Sequence, residues 1–341
     1  MIFLHKDRRY QPDQWYRRFE HQLRARRLSY KKIDLLRRDF RNLKVKEGDA
    51  LIGRFGHAAS DLNKIKPIYH DLALHFKDRI FPSQKTYQIY DDKWKQLALL
   101  FAGNYSTPKA AWVSTSEEVE KVIAEQGFGF PIVTKKNWGS GSTNVRLAHA
   151  IEDVYLPGII QEFCPDNDRD LRLTVIGQRV MGYYRLNFPN DFRASGSGKL
   201  IYPDNLPQEC VELVYRISKE HSFESMAYDL VKDEMGRWVV LEMSYAYVDQ
   251  CVRDCPFFID GETSERVKKI GVYPQDFILE DFLQKHPLVE SLSQNSKHFG
   301  NRFSHWWHRQ TRGQSQSNVP PCRDEVEHIG SDSQRFNQEA A

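Results

Sequence analysis

The chain has 341 residues, 40% of them apolar and 28% charged. At ~150 residues per domain that is room for about two domains with substantial cores, which excludes a stapled mini-protein, a fibrous repeat and wholesale disorder. The net charge of +3 hides an asymmetry, because residues 1–45 carry 14 Lys/Arg against 5 Asp/Glu and leave the remainder net acidic. Such a front is either a solvated helix face or a surface for an anionic partner. No run approaches the ~18 uninterrupted apolar residues of a membrane span, and residues 1–4 are too brief for a signal peptide, so a cytoplasmic protein is expected. Cys164, Cys210, Cys251, Cys255 and Cys322 are scattered and include no CxxC, which argues against a disulfide framework and a zinc site.

Residues 2–4 read as a short strand, and Asp13 is placed to cap a helix whose Trp15, Phe19 and Leu23 recur along one face. Strands follow at Tyr30–Ile33 and Ala50–Ile52, so residues 1–87 are expected to form a small, mostly parallel α/β domain. Ligands of such sheets bind beyond the carboxyl ends of the strands. That makes Arg54-Phe55-Gly56-His57 either a substrate contact or an ordinary solvated turn. A helix from Asp91 places Trp94, Leu97, Ala98 and Phe101 at the spacing of a buried stripe. Thr115-Ser116-Glu117-Glu118 is a capping box opening a helix that stops at Gly127. Strand-like runs at 130–135 and 144–148 then flank Asn137-Trp138-Gly139-Ser140-Gly141-Ser142. Two hairpins, 171–186 and 225–244, are separated by a helix near Gln208–His221, so residues 88–290 read as α+β. Residues 291–341, rich in Ser, Gln, Asn and Arg, read as a mostly disordered tail in which Trp306 and Trp307 dock locally.

In the 137–142 run, glycines let backbone N–H groups approach anionic oxygens and serine hydroxyls add donors. The run is a phosphate cradle or a plain flexible hairpin; with no GK[ST] at its end it is not a Walker A loop. If the 225–244 hairpin turns between Met235 and Gly236, Asp229 faces Glu242, two carboxylates about 5 Å apart at Cβ on apolar strands. They repel unless a cation or proton lies between them, and bound Mg²⁺ is the economical explanation; the alternative is an edge strand with its carboxylates in solvent. With a turn at Gly177-Gln178, Asp170 faces Arg185 and Arg172 faces Tyr183. These arginines form a surface salt-bridge patch or, with Arg193 of the 191–198 loop, a clamp for transferred phosphoryl charge.

Taken in order, several pieces resemble the ATP-grasp superfamily, in its glutathione-synthetase and ribosomal-protein glutamate ligase branch, over about residues 88–250. They are Asp92-Lys93 opening a helix, Phe130-Pro131-Ile132-Val133-Thr134-Lys135, the 139–142 loop, Ile160-Gln161-Glu162-Phe163, Asp170-Leu171-Arg172, Asp191-Phe192-Arg193, and Tyr228-Asp229 with Leu241-Glu242. The resemblance implies an ATP-grasp domain whose two α+β subdomains clamp ATP, and an ATP-dependent carboxylate–amine ligase working through an acyl phosphate. It implies that Lys93 and Lys135 contact phosphates under Gly139, Ser140, Gly141 and Ser142. Glu162 and Phe163 correspond to the hinge that meets adenine through its backbone, and Asp170 to the acidic residue on the nucleotide side. Arg193, Arg172 and Arg185 would hold the γ-phosphate, and Asp229 and Glu242 would ligate Mg²⁺, with Mn²⁺ able to substitute.

The family's Glu-x-Asn is Glu242-Met243-Ser244 here, so Ser244 stands third in the metal set with a shorter side chain. The runs 191–198 and 227–245 also resemble a bacterial subgroup associated with surface-polysaccharide loci, which implies a small-molecule or glycan-precursor acceptor. An anionic acceptor suits the basic front better than nucleic acid does, and oligomerisation stays open. Two other functions fit the same site: phosphoryl transfer to a hydroxyl, as in a kinase, and a nucleotide-binding scaffold without turnover. Cys251 and Cys255 are spaced as either two ordinary thiols or a redox pair.

Overall fold

The computed structural model describes residues 1–6, 15–55, 63–139, 144–287 and 289. The Asp13 cap, Gly56, His57, Ser140, Gly141, Ser142 and the 291–341 tail lie outside the described residues.

Strands β1 (Ile2–His5), β2 (Tyr30–Ile33), β3 (Ala50–Ile52) and β4 (Ile80–Phe81) form a parallel sheet in the order β2-β1-β3-β4. Helix α1 (Trp15–Ala25) crosses from β1 to β2 and buries Trp15, Phe19 and Leu23, each contributing about 1.5–3 kcal/mol. Helices α2 (Tyr69–His75) and α3 (Gln84–Gln88) flank β4. Parallel pairing puts every carboxyl end along one edge. Phe55, three residues past β3, is buried at that edge, where the Tyr245 hydroxyl accepts its N–H at 2.9 Å and donates to its carbonyl at 3.0 Å. Phe55 is therefore a packing joint and not a solvated turn, while Arg54 lies over the Trp15 ring at 5.2 Å.

Helix α4 (Lys93–Ala102) starts at Asp92, whose carboxylate accepts the Lys95 N–H at 3.2 Å. Its buried face corrects the expected stripe: Lys93, Gln96, Leu97 and Leu100 are buried, while Ala98 and Phe101 are exposed. The helix turns two polar side chains inward because that face looks onto a site, a choice that apolar spacing does not encode. Strands β5 (Ala110–Val113), β6 (Ile132–Lys135), β7 (Val145–Ala148) and β8 (Gly158–Glu162) make a small antiparallel sheet in the order β5-β8-β6-β7. It is backed by α5 (Ser116–Gln126), capped by Thr115 at its start and ended by Gly127 at φ +68°. Val113, Val119, Ile132, Ala148 and Ile160 give this sheet a core of its own.

The large antiparallel sheet contains β9 (Arg169–Ile176), β10 (Arg179–Leu186), β11 (Leu200–Ile201), β12 (Ser225–Lys232), β13 (Trp238–Ser244), β14 (Phe257–Asp260) and β15 (Arg266–Lys268). Its order is β13-β12-β9-β10-β14-β15, with β11 paired to β10. Helix α6 (Gln208–His221) connects β11 to β12, and α7 (Asp249–Arg253) and α8 (Pro274–Lys285) follow β13 and β15. Two shared cores join this sheet to the N-terminal one. In the first, Phe3, Phe55, Tyr69 and Tyr87 pack with Leu171, Tyr228 and Tyr245. In the second, Trp15, Phe19 and Phe81 pack with Met181, Tyr247 and Phe277.

Candidate nucleotide and metal site

The β12–β13 hairpin sets two carboxylates side by side, by a route that differs from the expected one. Its turn spans 233–237 and closes through Asp233 N–H to the Arg237 carbonyl at 2.9 Å, so Leu230 pairs with Val240. Continued regularly, that register would put Asp229 opposite Leu241. Leu241 of β13 is an extra, unpaired residue between the Asp229–Glu242 and Leu230–Val240 pairs, and this bulge shifts the ladder by one residue so that Asp229 faces Glu242. Extra residues of this kind re-aim side chains beside active sites.

Strand β9 lies next to β12 with Arg172 opposite Asp229, and β10 lies next to β9 with Arg185 opposite Asp170. Arg172 Nε and Nη2 donate to the two Asp229 oxygens at 2.6 and 2.7 Å. Arg185 Nε donates to Asp170 Oδ1 at 2.8 Å, and its Nη2 bridges Asp170 Oδ2 at 2.5 Å and Asp229 Oδ2 at 2.9 Å. Burial by itself would raise the Asp229 pKa, but the Arg172 and Arg185 guanidiniums outweigh it and hold the carboxyl well below the usual range. The charge that offsets Asp229 is thus supplied by the protein, and carboxylate repulsion alone does not call for a metal. Arg185 is 1% exposed, yet its Nη1 is buried with no partner among the described residues.

Across the cleft, Lys93 Nζ donates to the Gly139 carbonyl at 2.6 Å and lies 3.7 Å from Glu242 Oε1. Lys135, the last residue of β6, is buried. Desolvation brings its pKa down to about 8, against the opposing pull of Glu242 and with Lys93 adding to the fall. Lys93 thus pairs with Glu242, which is 39% exposed, and the same carboxylate acts electrostatically on Lys135. Two buried ammonium groups and an orphaned guanidinium nitrogen fit a polyphosphate. The hard oxygens of Asp229 and Glu242 fit Mg²⁺. No group of three or more His, Cys, Asp or Glu converges among the described residues, so phosphate and water oxygens would complete the shell.

The remaining expected residues fall in varied places. Asp170 is bound to Arg185 instead of lining an open nucleotide face. The Ser244 hydroxyl donates to the Ala246 carbonyl at 2.9 Å and accepts the Ala246 N–H at 3.2 Å, so it is tied into a local turn. Arg193 forks onto Asp191, with Nη2 to Oδ2 at 2.6 Å, and its Nη1 reaches the Val145 carbonyl of β7 at 3.5 Å. The Glu162 N–H is spent on the Lys109 carbonyl at 2.8 Å, and Phe163 meets Phe192 edge-on at 5.8 Å. Beside that pair a cavity of about 650 Å³ opens between Leu147, Asn167, Asn187, Phe188 and Phe192. Cys255 is a buried free thiol that donates to the Gly182 carbonyl, and burial pushes its pKa up to about 12, so it is not a poised redox group.

Three supporting residues escaped the sequence. Asn137 accepts the Trp94 N–H at 2.8 Å and donates to Asp92 Oδ1 at 3.1 Å, and Asp91 accepts the Gly139 N–H at 3.1 Å. Gln96 holds β13 from α4 through the Met243 N–H. The Asp-Asp-Lys and Asn-Trp-Gly runs offered the residues, but their pairing spans more than 40 positions. Gly139 sits at φ +127°, and a Cβ there would meet Asn144 Nδ2 at 2.4 Å, so this turn requires glycine.

Residues 90–250 match the family model of the RimK-like ATP-grasp domain. The chain is 25% identical over 194 residues to the coenzyme gamma-F420-2:alpha-L-glutamate ligase of Methanocaldococcus jannaschii, covering 53% of this chain and 67% of that one. Its counterpart in Methanococcus maripaludis is 22% identical over 186 residues, covering 51% and 65%. The chain thus spans about two thirds of the length of these relatives. Among solved structures, the RimK domain ATP-grasp protein of Sphaerobacter thermophilus superposes with a TM-score of 0.55 at 15% identity, over 83% of this chain and 100% of that one. The ATP-grasp ligase PsnB complexed with minimal precursor gives 0.51 at 18% identity, over 74% and 92%. These likenesses show a shared fold. Residues 90–250 are a RimK-like ATP-grasp domain, and the chain carrying it is an ATP-grasp ligase.

Proposed function

We propose that the protein joins a carboxylate to an amine at the expense of ATP, through an acyl phosphate. The observation that carries this is the ion pair of Lys93 with Glu242, with buried Lys135 in the electrostatic reach of the same carboxylate, next to the Asp229–Arg172–Arg185 cluster. A carboxylate oxygen of the acceptor attacks the γ-phosphorus and the bond to ADP breaks. The amine then attacks the acyl carbon, and phosphate leaves. Lys93 and Lys135 bind phosphate oxygens, with the Gly139 backbone at the loop's root. Arg193 and the free Nη1 of Arg185 neutralise the charge spread over the transferred phosphoryl group. Asp229 and Glu242 would hold Mg²⁺, which would supply positive charge against the phosphate oxygens. Arg172 fixes the Asp229 carboxylate, and the cleft beside Phe163 and Phe192 takes the nucleoside. Ser244 contributes by shaping the turn after Glu242.

We place the acceptor in the anionic class, with a glycan precursor as its finer form and the cytoplasm as the setting. Among the described residues no helix is long and apolar enough to cross a membrane. The test is ADP release with metabolite extract and ATP, followed by product mass. An amide product supports ligation, whereas a bare gain of one phosphate would convert the assignment to a kinase. Glu242→Gln, at a side chain that is 39% exposed and pairs with Lys93, should abolish substrate-dependent ADP release in a folded protein. Unchanged turnover would sink the assignment.

A further inference from the structure

We propose that Lys66 is a positioning residue for nucleotide binding, acting from the N-terminal unit on the root of the glycine-rich loop through Trp138. The inference rests on the nucleotide site proposed above. Lys66 opens a short 3-10 turn, Lys66–Ile68, ahead of α2. Its Nζ donates to the Tyr90 carbonyl at 2.9 Å and lies 4.1 Å from the centre of the Trp138 ring. It is half-buried and feels the carboxylates of Asp92 and Asp91. A cation this close to an indole face is held by the ring quadrupole.

The position of Trp138 gives the contact its meaning. Trp138 is 49% exposed, more than a tryptophan kept for core packing. Its own carbonyl accepts from Asn144 Nδ2 at 2.8 Å, and the next residue, Gly139, is bonded to both Asp91 and Lys93. The same few residues, 90–93, thus hold Lys66 by a carbonyl, Gly139 by a carboxylate, and Glu242 by the Lys93 ammonium. Lys66 and Lys93 thus both bear on the root of the loop, one through the Trp138 ring and the other through the Gly139 carbonyl. Holding the Trp138 ring against the N-terminal unit keeps the Gly139 carbonyl on Lys93, so that the ammonium is already aimed at the phosphates when nucleotide arrives. Removing the ring contact frees Trp138 and lets the root of the loop turn away from Lys93, which weakens nucleotide binding without removing a group that touches nucleotide.

The test measures the Kd of MgADP for full-length wild type, Lys66→Met, Lys66→Arg, Trp138→Ala and the double variant, together with the KM for ATP and kcat. Methionine keeps the apolar stem and loses the charge; arginine keeps a cation over the ring. Lys66→Met and Trp138→Ala should each weaken MgADP by about threefold, the scale of an exposed cation–π contact, and the double variant should be no worse than either single one. Lys66→Arg should restore wild-type affinity, and the loss should appear in the KM for ATP with kcat unchanged. Full additivity of the two losses, no rescue by arginine, or a loss confined to kcat would overturn the role of Lys66. Failure of wild type to bind MgADP would instead overturn the nucleotide site and this inference together.

Discussion

Gln96 of α4 accepts the Met243 N–H at 3.0 Å, fixing the strand segment that presents Glu242 from the helix that presents Lys93. β13 is an edge strand, and its outer backbone groups are covered in turn by Gln96, by the Ser106 carbonyl on Val240 N–H, and by the Thr107 hydroxyl on the Val240 carbonyl. Gln96 is itself held, because its Nε2 donates to the Ile89 carbonyl at 3.1 Å. Replacing it with leucine leaves a buried N–H without an acceptor, for an expected loss of about 1–3 kcal/mol in urea unfolding. Gln96→Glu, which keeps the acceptor, should lose less. An unchanged unfolding midpoint for Gln96→Leu would mean that this N–H bond contributes nothing.

Arg185 and Arg193 should separate stability from activity. Arg185→Met leaves Asp170 and Asp229 facing each other with one guanidinium removed from a buried network, which should cost about 3–5 kcal/mol in denaturant unfolding. Arg193 is 39% exposed and pairs locally with Asp191. Arg193→Ala should move stability by less than about 1 kcal/mol while cutting substrate-dependent ADP release at least tenfold, as expected for a lost transition-state contact. Equal effects of both variants on stability would show that the network around Arg185 is not where the charge balance lies.

The buried Lys135 gives the site a pH signature. Burial lowers its pKa to about 8 in the folded protein, against ~10.4 unfolded. Between those two values the unfolded chain binds more protons, so this group makes the folded state gain stability as pH rises from about 8 toward 10. Nucleotide binding runs the other way, because the free protein loses the ammonium as pH rises through about 8. Titrating MgADP by calorimetry should show affinity falling above that pH in wild type and a flatter profile in Lys135→Met. Parallel profiles would assign the pH dependence to another group.

The basic front divides between two edges of the N-terminal sheet. Arg24 bonds the Tyr30 hydroxyl at the amino end of β2, while Arg37 and Arg38 follow its carboxyl end, the edge that Phe55 shares with Tyr245. A four-residue strand spans ~13 Å, longer than the Debye length of ~8 Å in physiological salt. Arg38→Glu should therefore raise the acceptor KM severalfold and change its salt dependence, and Arg27→Glu should leave both near wild type. Steady-state kinetics at two ionic strengths decides this, and equal responses would remove the anionic-acceptor proposal.

The sequence by itself determined the elements and much of their pairing. The recurrence of Trp15, Phe19 and Leu23, the Thr115 cap, the Gly127 stop and the Gly177-Gln178 turn are local signals, and local backbone chemistry was enough to place Asp170 opposite Arg185. Only the tertiary structure decided which cation holds Asp229. That Arg172 lies against Asp229 depends on β9 lying beside β12, 57 residues away in the chain, and the expected Asp229–Glu242 pairing is reached through a bulge at Leu241 that no residue between Lys232 and Trp238 announces. The inward turn of Lys93 and Gln96 has the same origin. Hydropathy spacing records which side chains avoid water, whereas these polar groups are buried because distant partners, assembled by the fold, replace the water they give up.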